Sequence, residues 1–207
     1  MKKISFISLL IIIIGISFLF SCENTSRKLP ILGEREFING DSVYHTIPDF
    51  SFINQDSLVV TNKSYEGKIY VTDFFFTTCP TICPVMKKQM LRVFEKYKEN
   101  PAVGILSHTI DPRHDSVAVL REYAKRLGVT GNMWNFVTGE KEKIYNIGEK
   151  SYYVTAGEDS TAAGGIIHSG AFILVDTKRR VRGVYDGTKE QEVTKLLKDM
   201  DVLLNEK

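Results

Sequence analysis

The chain has 207 residues, 43% of them hydrophobic and 25% charged, with a formal net charge of +2. This is the composition of a globular domain with a real core. Lys2 and Lys3 account for the whole charge excess, so there is no electrostatic basis for binding nucleic acid.

Those two lysines precede an apolar run, Ile4 to Phe20, that ends in LFSC, Leu19 to Cys22. Basic residues followed by an apolar run have the layout of a secretory signal. The last four residues resemble a bacterial lipobox, whose cysteine is acylated and becomes the first residue of the mature protein. An uncleaved transmembrane anchor is the alternative, since the run is just long enough to span a bilayer. The small Ser21 directly before Cys22 suits a peptidase site and favours lipidation. The expected organisation is a lipoprotein signal peptide over 1–21, a polar membrane tether over 22–45 and a domain over 46–207. Either anchor holds the domain at a membrane on the extracytoplasmic, periplasmic side.

Strands and helices then alternate. KIYVTDFFF, 68–76, is a near-continuous apolar run rich in β-formers, which predicts a central strand buried on both faces. Met86, Met90, Phe94 and Tyr97 recur at helical spacing and predict a helix over 84–99. AVGILSHTI, 102–110, is a second buried strand. DSVAVLREYAKRLG, 115–128, is a helix stopped by Gly128. NFVTG is a short strand, and EKEKIYNIGEK, 140–150, a short helix. The Gly/Ala/Ser/Thr-rich stretch 155–165 reads as a mobile loop. AFILVD and VRGVYDG flank TKRR as a β-hairpin. Val193, Leu196, Leu197 and Leu203 mark a closing amphipathic helix. Crossover helices between the first strands imply parallel pairing, and the hairpin adds antiparallel strands. The predicted fold is α/β and thioredoxin-like: a mixed central sheet flanked by helices, with an extended loop before the C-terminal hairpin. Sites in such sheets gather at the C-terminal ends of strands, where TTCPTICP stands.

The chain has three cysteines, and with Cys22 assigned to lipid, Cys79 and Cys83 remain, in a compartment where disulfides persist. Pro84 suits the first turn of a helix. It places Cys83 at the cap, beside unpaired N–H groups and the positive end of the dipole, where thiolate is favoured. A residue before proline is pushed out of the helical region, so both cysteines are expected to be extended. The C-x3-C spacing serves a redox pair, half of a metal site or a structural disulfide. The last would close too short a loop to constrain the unfolded chain much.

A soft metal would seek a third ligand. His45 lies in the entry segment, His108 within a strand and His114 before a helix, each in a place where an ordinary structural role suffices. His168, in GGIIHSGAF, stands just before the hairpin, on the approach that faces the helix mouth in a thioredoxin-like fold. Exchange enzymes carry a cis-proline there, whereas this chain has no proline after Pro112. That weakens the exchange reading and strengthens the metal one.

FFFTTCPTICPVM, TIDPRHDS with LREYAKRLG, WNFVTG and HSGAFILVDTKRRVRGVYDGT together closely resemble the Sco/SenC family of copper proteins, in the family order over about 65–188. The resemblance implies a copper site formed by Cys79, Cys83 and His168. It also implies a role in assembling the binuclear copper centre of cytochrome c oxidase. Ile167 stands where family members often carry an acidic residue, and Asp111 matches a family block but reads as a turn or cap. Thiolate selects soft Cu(I), and imidazole accepts both Cu(I) and Cu(II). Zinc would accept the same ligands with water as a fourth. The leading expectation is a copper metallochaperone, more carrier than enzyme, delivering to the copper-bearing oxidase subunit and meeting other copper carriers or thiol reductants. The alternative is a membrane-tethered thiol–disulfide oxidoreductase using Cys79 and Cys83, as a disulfide when oxidised, to reduce that subunit's cysteines. A peroxiredoxin is excluded, since the proline and threonine its P-x-x-x-T-x-x-C pattern requires are Thr72 and Phe76 here.

Overall fold

The computed structural model describes residues 28–158 and 166–206, with the strands 156–158 and 166–168 described as backbone only. The expected signal peptide and Cys22 lie outside the described residues. Among those that are described, no helix is long and apolar enough to cross a membrane.

A seven-stranded mixed sheet forms the centre. Its strands are β3 (Ser51–Asn54), β4 (Val59–Thr61), β5 (Ile69–Phe75), β6 (Val103–Thr109), β7 (Trp134–Thr138), β10 (Ala171–Val175) and β11 (Val181–Asp186). They lie in the order β11-β10-β5-β6-β7-β3-β4. As the crossover pattern predicts, β5, β6 and β7 are parallel, and β10 and β11 add an antiparallel hairpin against β5. Every residue of β5 and of β6 is buried, which is why both read as near-continuous apolar runs. Among the described residues the α-helices are α1 (Cys83–Tyr97), α2 (Val117–Arg126), α3 (Lys141–Ser151) and α4 (Glu190–Asn205).

The pleat of β5 sorts its side chains between two layers. Asp73 and Phe75 turn to one face, where Asp73 meets Lys87 of α1 and Phe75 stacks on Tyr123 of α2. Tyr70 and Phe74 turn to the other, where Tyr70 hydrogen-bonds Tyr152 just after α3 and Phe74 lies under Gly148 of α3. A methyl at Gly148 would stand 3.0 Å from Phe74 Cε1, so glycine lets this helix settle on the ring. Helix α4 joins the α1 layer: Tyr97 Oη donates to Asp201 at 2.7 Å, and Arg92 Nη2 donates to Thr194 Oγ1 at 2.8 Å.

Two segments depart from the sequence expectation. Residues 28–45, within the stretch read as tether, pack on the domain. Leu29 is buried in the core, and Arg35–Ile38 (β1) pairs with Asp41–Tyr44 (β2). The Asn39-Gly40 turn between them has positive φ at both residues, 53° and 88°, the conformation that a two-residue hairpin favours and that Asn-Gly adopts at least cost. The β3–β4 hairpin escaped the sequence reading because its strands are too short to show a period. Of the stretch 155–165 read as a loop, Ala156–Glu158 (β8) is a strand, paired antiparallel with Ile166–His168 (β9) with Ala156 opposite His168, and 159–165 lie outside the described residues.

Candidate metal centre

The chain leaves the end of β5 at Phe75, turns through Phe76 to Ile82 and enters α1 at Cys83. This turn is built from below by Asp115, a fully buried carboxylate just ahead of α2. It accepts from the Thr77 N–H at 3.1 Å and from the Thr77 hydroxyl at 2.5 Å. It also accepts from the Thr109 hydroxyl, at the end of β6, at 2.5 Å. One side chain thus ties the turn before Cys79 to the neighbouring strand and to the start of a second helix. Sequence reasoning passed over Asp115 in favour of its neighbours. Asp111 is held through its backbone, its carbonyl accepting from the His114 and Asp115 N–H groups, as its turn reading predicts.

The two thiols come together at the helix mouth. Both are buried, Cys79 8% and Cys83 2% exposed, and they are within hydrogen-bonding reach of each other. Burial pushes the Cys79 thiol up. Donation from the Thr81 and Cys83 N–H groups, from the Cys83 thiol and from the Thr81 hydroxyl outweighs burial and holds its pKa below the ordinary thiol value. The Thr81 hydroxyl stands 3.7 Å from Cys79 Sγ. Cys83 is the reverse. Burial pushes its thiol well up, against the opposing pull of the Phe76 N–H and the Lys87 charge.

The expectation that Cys83 is extended and is the thiolate is therefore corrected. Cys83 is the first residue of α1, and Pro84 sits within the first turn, where its missing N–H costs nothing. The N–H of Cys83 at the helix start and that of Thr81 in the turn before it point at Cys79, while the Cys83 thiol is the more deeply buried.

Beneath Cys83, one turn along α1, lies Lys87, 2% exposed. Its ammonium donates to Asp73 Oδ2 at 2.6 Å and to Ser107 Oγ at 3.2 Å, and it stands 4.1 Å from the centre of the Phe75 ring. Ser107 in turn donates to Asp73 at 2.5 Å and accepts from the Trp134 indole at 2.9 Å. No sequence signal marks this pair, since Lys87 reads as an ordinary polar position on a helix.

The histidines separate cleanly. His45 Nε2 lies 3.2 Å from the Ser151 carbonyl, His114 is exposed, and His108 is fully buried among Phe74, Phe52 and Tyr152. His168 ends β9, and its side chain lies outside the described residues. Its backbone leads within two residues to Gly170, where a methyl would lie 4.0 Å from Ile82 Cδ1, beside Cys83. Ile82, Ser169 and Gly170 line one groove with Val184 and Asp186. Among the described residues, no group of three or more His, Cys, Asp or Glu is placed to hold a metal.

Residues 39–203 match the family model described as SCO1/SenC. The chain is similar to the SCO1 protein homolog of Bacillus subtilis (strain 168), 29% identical over 192 residues that cover 90% of this chain and 92% of the relative. The structure is similar to a SCO1/SenC family lipoprotein from Bacillus anthracis str. Ames, with a TM-score of 0.71 and 28% identity over 77% of this chain and 95% of that one. It is also similar to BsSco, described as having a disulfide switch and as a member of the Sco family of cytochrome c oxidase assembly proteins. There the TM-score is 0.69 and the identity 29%, covering 79% of this chain and 95% of that one. A third likeness is to Arabidopsis thaliana ScoI with copper bound, with a TM-score of 0.63 and 26% identity over 77% and 98% of the two chains. The domain is thioredoxin-like, as its element order predicts. Because the match takes in the sheet, its helices and the cysteine turn, the chain belongs to the SCO1/SenC family.

Proposed function

We propose that this protein binds copper through Cys79, Cys83 and His168 and delivers it to the binuclear copper site of cytochrome c oxidase. The observation that carries the reading is the pair of thiols in mutual reach at a helix mouth, one already biased toward thiolate. Two soft sulfurs favour Cu(I), and a neutral imidazole adds a ligand that also accepts Cu(II). The backbone path from His168 to Gly170, against Ile82, supports bringing an imidazole to the thiols. The relative with copper bound supports the choice of metal. A site of two thiolates and one imidazole leaves copper short of a closed cage, which suits release to a partner. Lipidation of Cys22 after removal of residues 1–21 would keep the domain on the extracytoplasmic side of a membrane. The lipoprotein relative supports that reading.

Thiol–disulfide exchange is the second reading, favoured by the unequal thiols. Cys79 would attack one sulfur of a partner disulfide and release the other as a thiol. Cys83 would then displace the partner's remaining sulfur from Cys79. The partner gains two electrons and two protons, and Cys79 and Cys83 end as a disulfide. The proposed copper binding and this reductive chemistry draw on the same two cysteines.

Anaerobic titration of the reduced protein tests the leading reading. One copper per chain is expected, with strong thiolate charge-transfer absorption for Cu(II), lost when either Cys79 or Cys83 is changed to Ser. A tight site that survives the double Ser variant overturns it. The His168→Ala variant separates the two readings. Cu(I) binding should weaken modestly, the Cu(II) spectrum should shift or collapse, and oxidase assembly should fail in cells unless copper is added. Rescue of assembly by added reductant alone would favour exchange.

A further inference from the structure

Arg182 is the second residue of β11 and is 3% exposed. Its guanidinium gathers the start of the described chain and the end of α4 into one clasp. Nε donates to the Pro30 carbonyl at 2.9 Å, and Nη2 to the Leu29 carbonyl at 2.6 Å. Nη2 also meets both Glu206 carboxylate oxygens at 2.8 Å, and Nη1 meets Asp176 at 3.1 Å. Leu29 is buried beside it, and the Leu32 N–H donates to the Val181 carbonyl at 2.8 Å. A buried guanidinium whose donors are spent on two backbone carbonyls and two carboxylates fixes the chain it holds in direction as well as position.

The clasp sits at a defined end of the molecule. Strands β11 and β5 both run antiparallel to β10, so their starts lie at the same edge of the sheet. Arg182 and Glu206 share a cleft with Gly67 and Ile69, where β5 begins. The thiols lie beyond Phe75, where β5 ends. Seven residues of strand, about 23 Å at ~3.3 Å per residue, separate the two ends. Seven steps of chain separate Cys22 from Leu29. A flexible chain of that length spans roughly 15 Å, well short of the strand, and only at full extension would it approach about 25 Å.

We propose that Arg182 fastens the lipid-proximal chain to the sheet edge opposite the thiols, so that an anchor at Cys22 holds the domain with Cys79 and Cys83 turned away from the bilayer. The inference rests on the lipidation of Cys22 proposed above. It assigns the partner by position: the thiols meet a protein domain that projects from the membrane or is free above it, not a group embedded in the lipid. The edge at Lys178, in the exposed turn between β10 and β11, faces the membrane.

The test uses the mature, lipidated protein in vesicles that contain a headgroup-labelled acceptor lipid. A donor dye is placed at Lys178, on the clasp edge, or at His114, on the thiol side. Energy transfer to the lipid is expected to be severalfold greater from position 178 than from 114. Equal transfer from the two positions overturns the proposal. Arg182→Leu should narrow the difference. Because that variant risks unfolding, a second one inserts 15 Gly/Ser residues between Asn24 and Thr25. This adds roughly 20 Å of flexible reach without touching the clasp, and the difference should collapse. Persistence of the full difference in the insertion variant also overturns the proposal, since something other than the short clasped chain would then orient the domain. Flotation of a Cys22→Ser variant is read in parallel. If it still floats with vesicles, the anchor fails and the proposal with it. If it does not float while the transfer pattern is absent, the clasp alone is refuted.

Discussion

At the scale of single residues, the thiols are unequal because backbone donors are unequally shared. Two N–H groups, a thiol and a hydroxyl reach Cys79, whereas Cys83 lies deeper with less to offset its burial. Alkylation of the reduced protein should therefore be biphasic. The fast phase should have its pH inflection below the ordinary thiol value and be missing in Cys79→Ser but kept in Cys83→Ser. A fast phase carried by Cys83 would refute the assignment. His108 offers a second test. Full burial pushes its pKa down to about 3 from 6.5, and neither ring nitrogen has a hydrogen-bond partner among the described residues. The unfolded chain takes up this proton first, so the stability is whole above pH 6.5 and is lost as pH falls from there toward 3. The full span corresponds to about 4–5 kcal/mol at ~1.4 kcal/mol per pH unit. His108→Phe should flatten the stability profile between pH 6.5 and 4, measured by urea unfolding. An unchanged slope would assign acid sensitivity to other groups.

At the scale of elements, α1 is both the wall of the core and the floor of the site. Met86, Met90, Val93 and Phe94 are buried at the spacing that made the helix legible. Lys87 interrupts that face with a charge held by Asp73 across to β5. Lys87→Met should cost about 3–5 kcal/mol in denaturant unfolding, because it strands a buried carboxylate. Adding Asp73→Asn should recover part of that loss. If Lys87→Met alone is neutral, the pair is not the buried ion pair described. Asp115 works between elements, joining the cysteine turn to β6 and α2. Asp115→Ala should cost about 2–4 kcal/mol, since its bonds are charge-assisted, and should blur the two alkylation phases by loosening the turn. Helix positions were legible because apolar residues repeat locally at a period of 3.6, and the central strands because they are short, near-continuous apolar runs. Lys87–Asp73 and Thr77–Asp115 were not, because partners 14 and 38 positions apart leave no periodic trace.

At the scale of the whole molecule, the proposed copper site would link metal to fold, since its ligands are drawn from two places, Cys79 and Cys83 on one turn and His168 on the β8–β9 ribbon. Binding to the folded state alone stabilises it by about 2.7 kcal/mol at a hundredfold excess over Kd. For a domain of this size that is roughly a 5–10 °C rise in Tm. The reduced protein should show this shift with copper, reversed by a chelator. The oxidised protein, its sulfurs joined, should not. An equal shift in both forms would place the copper elsewhere.

What the amino-acid order determined by itself is local: the buried strands at 69–75 and 103–109, the helices α1 to α4, the late hairpin and the turn that carries Cys79 and Cys83. Patterning and proline chemistry act over a few residues, so they can be read in one dimension. Which thiol is the more acidic was decided only when the chain folded. That depends on where the N–H groups of one turn point and how deep each sulfur lies, and the local rule at Pro84 pointed to the wrong cysteine. The docking of residues 28–45 was likewise a tertiary decision. Their polar composition suggests a tether, but Arg182, more than 150 positions away, supplies the charge and the donors that make ordering them favourable.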